Sequence, residues 1–514
     1  FAVSGESGFD LSGYAVSSAG DINNDGFEDF VVGAYLGDRN QTGSIADTGA
    51  AYVVFGAADG LTDVDLSAIA AGDGSAGFKL EGGTAGDAAG RSVAAAGDVN
   101  GDGFADIVVG APYGGGSAQG GAYVIFGNGD GFSNAYNLDA LGTDGFKIAG
   151  TGANENAGFA VAGAGDIDGD GLDDIVIGAM QDASAPGKAY VVYGSTSFGA
   201  DITTAAAASV IAGIDIDDGA GIAVSMGDLN GDGYDDVLIG AQRGDGLAND
   251  ATNTGEAYVL FGKDGGLDAN VDLSTLQSGD GSVGFTITSS SQAGALLGTS
   301  VSMLGDINGD GYDDMVIGAP LADTGSTNSG SAYVVFGKAS GFAATLNVDA
   351  LDGTDGFEIF GAELGASLGT LSAVSAAGDI NGDGLDDIIV GATGTNSYAG
   401  AAYVIFGSTD GFNASLSLGD LTGEQGFALY GANAGADAVG ISANAAGDIN
   451  GDGYDDILVG SYDVNSGGAG VTYVVYGGDF LDDSESTGTA GADTLIGTAD
   501  NDVIDGGAGG AEGY

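Results

Sequence analysis

The sequence predicts an all-β protein, a seven-bladed β-propeller of four-stranded antiparallel blades. Three observations support this fold class. An acidic ten-residue motif of the type GDINGDGYDD occurs seven times, at intervals of 62 to 78 residues. Short apolar stretches with strand-like composition flank every copy, and Gly-rich turns separate them. No convincing helical pattern interrupts these stretches, and four-stranded units repeated radially form a propeller.

Each repeat contains four strand patterns in the same order, which the first repeat illustrates. The pattern at 13–20, GYAVSSAG, precedes the acidic motif and has the small residues that an innermost strand beside a central channel needs. The apolar run at 29–34, DFVVGA, is typical of a strand covered on both faces. A third strand follows at 51–56, AYVVFG, and a fourth at 77–82, GFKLEG.

The two ends of the chain predict how the ring closes. The seventh repeat has its third strand at 472–477 but no fourth strand, whereas the chain begins with FAVSG at 1–5. We therefore expect the N-terminal strand to complete the last blade and close the propeller over residues 1–478. Residues 479–514 form a linker and tail. Because the chain begins with Phe1 and without Met, we expect a processed or excised piece of a longer protein.

The acidic motif has the ligand pattern of a calcium loop. Counted from its first Asp, oxygen side chains stand at positions 1, 3, 5 and 9, a backbone carbonyl is available at position 7, and Gly at position 6 permits a sharp turn. These are EF-hand donors, but strands flank the loop and position 12 has no Glu. We predict about seven Ca²⁺ ions, which mainly stabilise the blades. The acid at position 8, as in Asp313 and Asp455, is predicted to be solvated and not a ligand.

The predicted metal ligands are the residues at positions 1, 3, 5, 7 and 9 of each copy. They are Asp21, Asn23, Asp25, Phe27 and Asp29; Asp98, Asn100, Asp102, Phe104 and Asp106; Asp166, Asp168, Asp170, Leu172 and Asp174; Asp228, Asn230, Asp232, Tyr234 and Asp236; Asp306, Asn308, Asp310, Tyr312 and Asp314; Asp379, Asn381, Asp383, Leu385 and Asp387; Asp448, Asn450, Asp452, Tyr454 and Asp456.

Composition narrows the classes of function. With 8 Lys+Arg against 74 Asp+Glu, the net charge is −66, which argues against nucleic acid and anionic lipid as partners. His and Cys are absent, so Ser-His-Asp and Cys-His nucleophiles and the usual zinc ligands are excluded. The sequence contains no run of about 18 apolar residues, which is the length that predicts a membrane-spanning helix. We predict a protein that is not an enzyme, although a glycosidase or lyase with paired carboxylates remains an alternative.

Two short patterns in each repeat carry a family resemblance. An FG pair closes the third strand, as in Phe55-Gly56 and Phe336-Gly337, and a GAP triplet follows the acidic loop, as in Gly110-Ala111-Pro112. Gly318-Ala319-Pro320 repeats that triplet. The repeat thereby resembles the FG-GAP repeat of integrin α-subunit propellers. The resemblance implies calcium loops on the lower rim and ligands on the upper rim. Integrins carry the calcium loop in only some of their blades, whereas this sequence has it in all seven. No ligand-binding residue of the integrins can be assigned to a position of this sequence.

The tail carries a second resemblance. The segments 488–496, 497–505 and 506–514 are similar to calcium-binding nonapeptides of the RTX type, with Asp493 and Asp502 at the ligand position and Ala511 in the third copy. This resemblance implies further calcium sites and export by a bacterial type I route, with folding after release. A flexible Gly/Asp-rich tail is the alternative.

We predict a secreted or cell-surface binding or adhesion module with an unidentified extracellular protein or glycan ligand. A calcium-dependent lectin and a self-assembling surface-layer or filament subunit are the alternatives. Contact residues are expected in the loops that connect the second and third strands. These loops are 35–50, 113–121, 180–188, 241–256, 320–331, 393–401 and 461–471.

Overall fold

The computed structural model describes most of the chain. The described residues are 1–480 and 502–504, apart from 38–47, 59, 182–184, 199–200, 247–252, 291–292, 325, 362, 371–372, 433–436 and 462–467. They form seven sheets, each with one acidic loop, arranged as a seven-bladed propeller. Blades are numbered here by their loops, from blade 1 (21–29) to blade 7 (448–456). The predicted fold class is confirmed.

The two inner strands of every blade flank the acidic loop and pair antiparallel. The innermost strands are Ala15–Gly20, Ser92–Gly97, Ala157–Gly165, Ala220–Gly227, Val301–Gly305, Val374–Gly378 and Ala443–Gly447. The second strands are Asp29–Ala34, Asp106–Gly110, Asp174–Ala179, Asp236–Ala241, Asp314–Ala319, Asp387–Gly391 and Asp456–Ser461. Every residue of the second strands is buried, as the continuous Val/Ile/Leu runs predict.

The third and fourth strands continue the antiparallel order outward. The third strands are Ala50–Val54, Gly121–Ile125, Lys188–Val192, Glu256–Leu260, Ser331–Val335, Ala401–Ile405 and Val471–Val475. The fourth strands are Gly77–Glu81, Gly145–Ala149, Ser209–Ala212, Gly284–Thr288, Gly356–Phe360, Gly426–Gly431 and, for blade 7, Ala2–Ser4.

Each blade has a fifth strand that the sequence did not predict. In blades 1 to 5 and in blade 7 it comes from the segment before the fourth strand of the next blade around the ring. It pairs in parallel with the fourth strand, as in Tyr136↔Leu80. In blade 6 it comes from the tail. In order from blade 1, these strands are Ala135–Asn137, Ile202–Thr203, Asn270–Asp272, Thr345–Asn347, Ser415–Ser417, Asp502–Ile504 and Val64–Asp65.

Short helical turns also occur, although the sequence showed no convincing helix. Six of them follow fifth-strand segments: Leu66–Ala71, Leu138–Ala140, Thr204–Ala206, Ser274–Gln277, Val348–Ala350 and Leu418–Asp420. Two more lie between second and third strands, at Gly114–Ala118 and Thr395–Tyr398. All are too short to show helical periodicity in the sequence. Across the described residues, no helix combines the length and hydropathy that a bilayer-spanning segment requires.

The N-terminal strand closes the ring as predicted. Ala2–Ser4 pairs antiparallel with Val471–Val475, and Val3, opposite Thr472, is completely buried. The Gly5 amide donates to the carbonyl of Gly470 at 3.1 Å. Residues from opposite ends of the chain therefore form one sheet.

Aromatic side chains fill the spaces between neighbouring blades. Phe78 of the blade 1 fourth strand stacks on Phe132, which precedes the fifth strand from blade 2, with ring centroids 4.5 Å apart. Phe357 and Phe412 repeat the contact between blades 5 and 6 at 4.4 Å. Full burial of such a side chain stabilises the fold by about 1.5–3 kcal/mol. Blade-to-blade packing therefore holds the acidic loops in a fixed ring.

Candidate metal centres

The seven acidic loops connect innermost strands to second strands, so all of them lie at one end of the propeller, here called the loop rim. The Gly at position 6 of every loop has a φ between +86° and +95°, as in Gly103 and Gly311. Only Gly adopts this conformation at little cost, which explains the invariant residue. Asn24 at position 4 of the first loop also has a positive φ, of 55°.

The Asp at position 1 organises the turn of its own loop. In blade 2, Asp98 Oδ1 accepts hydrogen bonds from the amides of Gly101 at 2.7 Å and Asp102 at 3.0 Å. Asp98 Oδ2 accepts from Gly103 at 2.8 Å. The Asp at position 5, here Asp102, accepts from the amide of Phe104 at 3.0 Å. These bonds fold the chain around the carboxylate and leave oxygen lone pairs for a further ligand.

The Asp at position 9 is completely buried in all seven blades. Asp314 Oδ2 accepts from the Ile307 amide at 3.1 Å, and Asp314 Oδ1 accepts from the Gly337 amide at 2.9 Å. Burial raises the pKa of Asp174 to about 7. Burial also raises the pKa to about 8 at Asp29, Asp106, Asp236, Asp314, Asp387 and Asp456. A nearby cation favours the ionised form of such a carboxyl.

Side-chain oxygens of positions 1, 3 and 9 converge in the loop of blade 3. In blade 3, one oxygen from each of Asp166, Asp168 and Asp174 lies within 4.8 Å of the other two. In blade 1, Asn23 Oδ1 is buried and accepts no hydrogen bond from the described residues. An amide oxygen without a donor, together with carboxylate oxygens that retain free lone pairs, fits a hard cation, so the predicted donor set suits calcium. In blade 4 the side chain at position 3 is oriented differently: the Nδ2 of Asn230, and not its oxygen, faces Asp236, and it lies 3.4 Å from Asp236 Oδ1.

The side chains at position 7, chosen in the sequence only for their carbonyls, contact the preceding loop. The Tyr234 ring of blade 4 lies against Gly169 of blade 3, where an added methyl group would meet the ring at 2.3 Å. Tyr312 and Gly231 repeat this contact one blade further on. Gly at position 4 therefore allows neighbouring loops to approach closely.

The prediction that the acid at position 8 is merely solvated was wrong. Asp386 Oδ2 of blade 6 accepts a hydrogen bond from the amide of Asp306, position 1 of blade 5, at 3.0 Å. The same bond joins Asp173 to Asp98, Asp235 to Asp166, Asp313 to Asp228 and Asp455 to Asp379. Position 8 is Glu28 in blade 1 and Ala105 in blade 2. The recurrence of an acid there in six of seven copies was the signal that could have revealed the contact.

Comparison with known proteins identifies the repeat. The FG-GAP repeat model matches residues 12–54, 89–125, 157–193, 220–260, 297–335, 371–405 and 441–475, one match in each blade. Integrin alpha-V of Gallus gallus is 31% identical over 252 residues, 48% of this chain. Integrin alpha pat-2 of Caenorhabditis elegans is 32% identical over 270 residues, 49% of this chain.

A third relative is named as an enzyme. Phosphatidylinositol-glycan-specific phospholipase D of Homo sapiens is 30% identical over 206 residues, which is 37% of this chain. The matched segments make up only 20%, 18% and 22% of the lengths of these three relatives. Seven blades, each with one matched repeat and one acidic loop, place the chain in the FG-GAP repeat family.

Proposed function

We propose that this propeller is a non-catalytic binding or adhesion module that works outside the cell or at its surface. Calcium in the acidic loops stabilises the loop rim, and a partner binds at the opposite end of the ring. Similarity to integrin α-subunits supports a binding role. The similarity to a phospholipase D covers 37% of this chain, a smaller share than the 48% and 49% covered by the two integrin matches, so the proposal follows the integrins.

Calcium would be held in each blade by the residues at positions 1, 3, 5, 7 and 9. Bound Ca²⁺ supplies positive charge that offsets the repulsion among these carboxylates. The support is the donor set itself: oxygen atoms only, three of them within 4.8 Å of one another in blade 3. His and Cys ligands are absent from the sequence.

The distribution of exposed apolar side chains carries the binding proposal. Loops between second and third strands, and between fourth strands and the next innermost strands, lie at the end opposite the loop rim, here called the opposite rim. Seven large hydrophobic side chains are exposed among the described residues, and only Val283 lies on the loop rim. The six on the opposite rim are Phe9, Tyr113, Ile216, Leu321, Leu364 and Tyr398. This unequal distribution between the two rims favours the opposite rim as the interaction surface.

Half of these six side chains lie in predicted contact loops. Tyr113, Leu321 and Tyr398 belong to the segments 113–121, 320–331 and 393–401. Phe9, Ile216 and Leu364 lie instead in loops that lead to the next innermost strand, which the sequence did not single out. Both loop sets end at the same rim because they cap the same end of antiparallel strands.

The binding role is tested by comparing variants of the two rims. The triple variant Phe9→Ser, Leu364→Ser and Tyr398→Ser should lose adhesion to immobilised extracellular-matrix proteins and to a glycan array, while Val283→Ser retains it. Protein and glycan surfaces in parallel distinguish a protein ligand from the lectin alternative. Equal adhesion by both variants, or none by the parent protein, would contradict the proposal.

The calcium role is tested by titration calorimetry after removal of divalent cations with EDTA. About seven binding equivalents are expected. Asp310→Ala, at position 5 of one loop, should remove one equivalent, whereas Asp410→Ala, at an exposed position outside the loops, should remove none. Unchanged stoichiometry in Asp310→Ala would contradict the assignment.

Secretion and the tail remain proposals. We infer an extracellular or surface location from the adhesion role, and type I export from the RTX-like nonapeptides. Apart from Asp502–Ile504, those nonapeptides lie outside the described residues.

A further inference from the structure

The axis of the propeller contains a cavity of about 320 Å³. Its walls come from the innermost strands of all seven blades. Small residues such as Ala94, Ala162 and Ala376 line it together with Ser17 and Ser375. A volume near 300 Å³ is the lower end of the range for small-ligand pockets. The cavity is separate from both the acidic loops and the exposed apolar side chains of the opposite rim.

One cationic side chain lines this cavity. Arg91 directly precedes the innermost strand of blade 2, so it lies toward the opposite rim, and it is only 7% exposed. Its guanidinium carbon lies 4.6 Å from the ring centre of Tyr14 in blade 1 and 4.4 Å from that of Phe159 in blade 3. Two aromatic rings from neighbouring blades therefore fix the guanidinium in place.

The guanidinium of Arg91 has no hydrogen-bond acceptor and no carboxylate partner among the described residues. Five of the other basic side chains in the described part of the chain form ion pairs, and Lys188 does not. The buried Lys79 lies 2.8 Å from Glu6, and Arg243 lies 2.9 Å from Asp217. Contact with ring faces occupies none of the five N–H donors of the guanidinium, so these donors are available to an anion in the cavity. With 74 acidic residues in the chain, a missing acidic partner at this position is notable.

The surroundings favour one class of anion. A guanidinium binds a carboxylate through two parallel hydrogen bonds. The chain's net charge of −66 penalises every negative charge that approaches, so a singly charged anion is favoured over a phosphate dianion. Walls of alanine, Val93 and Phe159 suit a short hydrocarbon chain. A small organic acid satisfies all three conditions.

We infer that the axial cavity is a binding site for a carboxylate, with Arg91 as its anion-binding residue. Tyr14 and Phe159 position the guanidinium. The carboxylate belongs either to a free short-chain organic acid or to an acidic side chain that enters along the axis. The site does not depend on the rim side chains of the proposed adhesion role, so the two proposals fail independently.

The test follows the side-chain Nε–H resonances of the three arginines by NMR of the whole chain, with the Arg91 signal assigned by its loss in Arg91→Gln. Sodium propionate is titrated against sodium chloride at equal ionic strength, and a glutamate peptide blocked at both ends provides a second arm. We expect a saturable shift of the Arg91 signal with propionate and none with chloride. Arg91→Gln should bind propionate at least about tenfold more weakly. Arg243→Gln, which changes an exposed and paired arginine, should bind normally.

Each outcome decides the inference. A response to propionate alone identifies a free acid as the ligand, and a response to the peptide identifies an acidic side chain. The absence of a saturable shift with either probe in the parent protein overturns the site, whether or not Arg91→Gln folds. Unchanged binding in a folded Arg91→Gln variant overturns the role of Arg91.

Discussion

At the scale of single residues, the buried aspartate that ends each loop joins three segments of a blade. Asp314 accepts one amide from the start of its loop and one from Gly337, which follows the third strand. The carboxylate thus fixes the loop to the sheet without any metal. An asparagine has the same shape but presents an amide nitrogen to one of the two donors.

We therefore expect Asp314→Asn to lower the free energy of unfolding by about 1–3 kcal/mol, because one buried amide loses its acceptor. Urea unfolding in EDTA at a pH above 8, where Asp314 is ionised, measures this effect separately from calcium binding. Asp410→Asn, the same change at an exposed position, should stay within about 0.5 kcal/mol of the parent protein. Equal unfolding free energies for the two variants would contradict the structural role.

Glu256, at the start of the third strand of blade 4, is a second buried acid, far from the loops. It is 2% exposed and accepts a hydrogen bond from the hydroxyl of Tyr258. Burial raises the pKa of its carboxyl from 4.5 to about 7, and the nearby acids Asp218, Asp215 and Asp245 raise it as well. The folded protein therefore holds this proton more tightly than the unfolded chain does.

This contribution to stability is complete below about pH 4.5 and is lost as the pH rises through about 7. Relative to Glu256→Gln, which does not titrate, the parent protein should lose up to about 3 kcal/mol of unfolding free energy between pH 4.5 and pH 8. Urea unfolding at both pH values measures the difference, with Glu424→Gln as the exposed control. A constant difference between parent and Glu256→Gln would refute the prediction.

At the scale of elements, hydrogen bonds from one loop to the next connect the acidic loops of blades 2 to 7. The carboxylate at position 8 accepts the amide at position 1 of the preceding loop, and in blades 5 and 6 the Asp386 amide in turn donates to the carbonyl of Asp306 at 3.3 Å. In blades 3 to 7, each loop therefore fixes the start of the preceding loop. A ligand bound in one loop can stabilise the adjacent loop through these bonds.

Asp386→Ala should lower the melting temperature and reduce the free energy of unfolding by about 1–2 kcal/mol, because the Asp306 amide loses its acceptor. It should also weaken calcium binding in the loop of blade 5, although Asp386 is not one of its ligands. Calorimetry of both properties tests the link, with Asp410→Ala as the control. Normal calcium affinity and stability would show that the loops are independent.

The sequence predicted those features that repeat within one blade. The Gly at position 6, the buried runs after each loop and the role of residues 1–5 all follow from local pattern and from counting repeats. Contacts between blades were not predictable in this way. Asp386 looks like a surface acid because its partner is 80 residues away. The fifth strands have two or three residues and pair with a different blade, so no local periodicity reveals them.

Arg91 was missed for a similar reason. Its ring partners Tyr14 and Phe159 belong to the blades on either side, and no motif links the three residues in the sequence. A scan for the few basic residues of this acidic chain would have selected it as one of eight candidates.

At the scale of the whole molecule, closure of the ring depends on Ala2–Ser4. Deletion of residues 1–5 should lower the free energy of unfolding by about 2 kcal/mol or more, from the lost burial of Val3 alone. In the full chain, Val3→Asp should reproduce the loss, whereas Ser4→Asp, on the exposed side of the strand, should not. Differential scanning calorimetry compares the three proteins, and an unchanged melting temperature after deletion would contradict closure by this strand.

Calcium bound at all seven loops should raise the stability of the whole propeller. At a free concentration ten times the Kd, each independent site adds about 1.4 kcal/mol, so seven sites add on the order of 10 kcal/mol. Melting temperatures measured in calcium and in EDTA test this expectation, with magnesium as the control cation. Equal melting temperatures in calcium and EDTA would contradict a stabilising role.

The fifth strands have a consequence for how the molecule behaves at high concentration. The fourth strand of an ordinary blade would present a row of unpaired amides and carbonyls that can pair with another chain and start aggregation. Here the neighbouring blade, or the tail, covers part of each of these rows with a strand of only two or three residues. Such short edges offer few groups for strand addition. We therefore expect the propeller to remain dispersed when crowded, since its sheet edges provide only very short templates for filament growth.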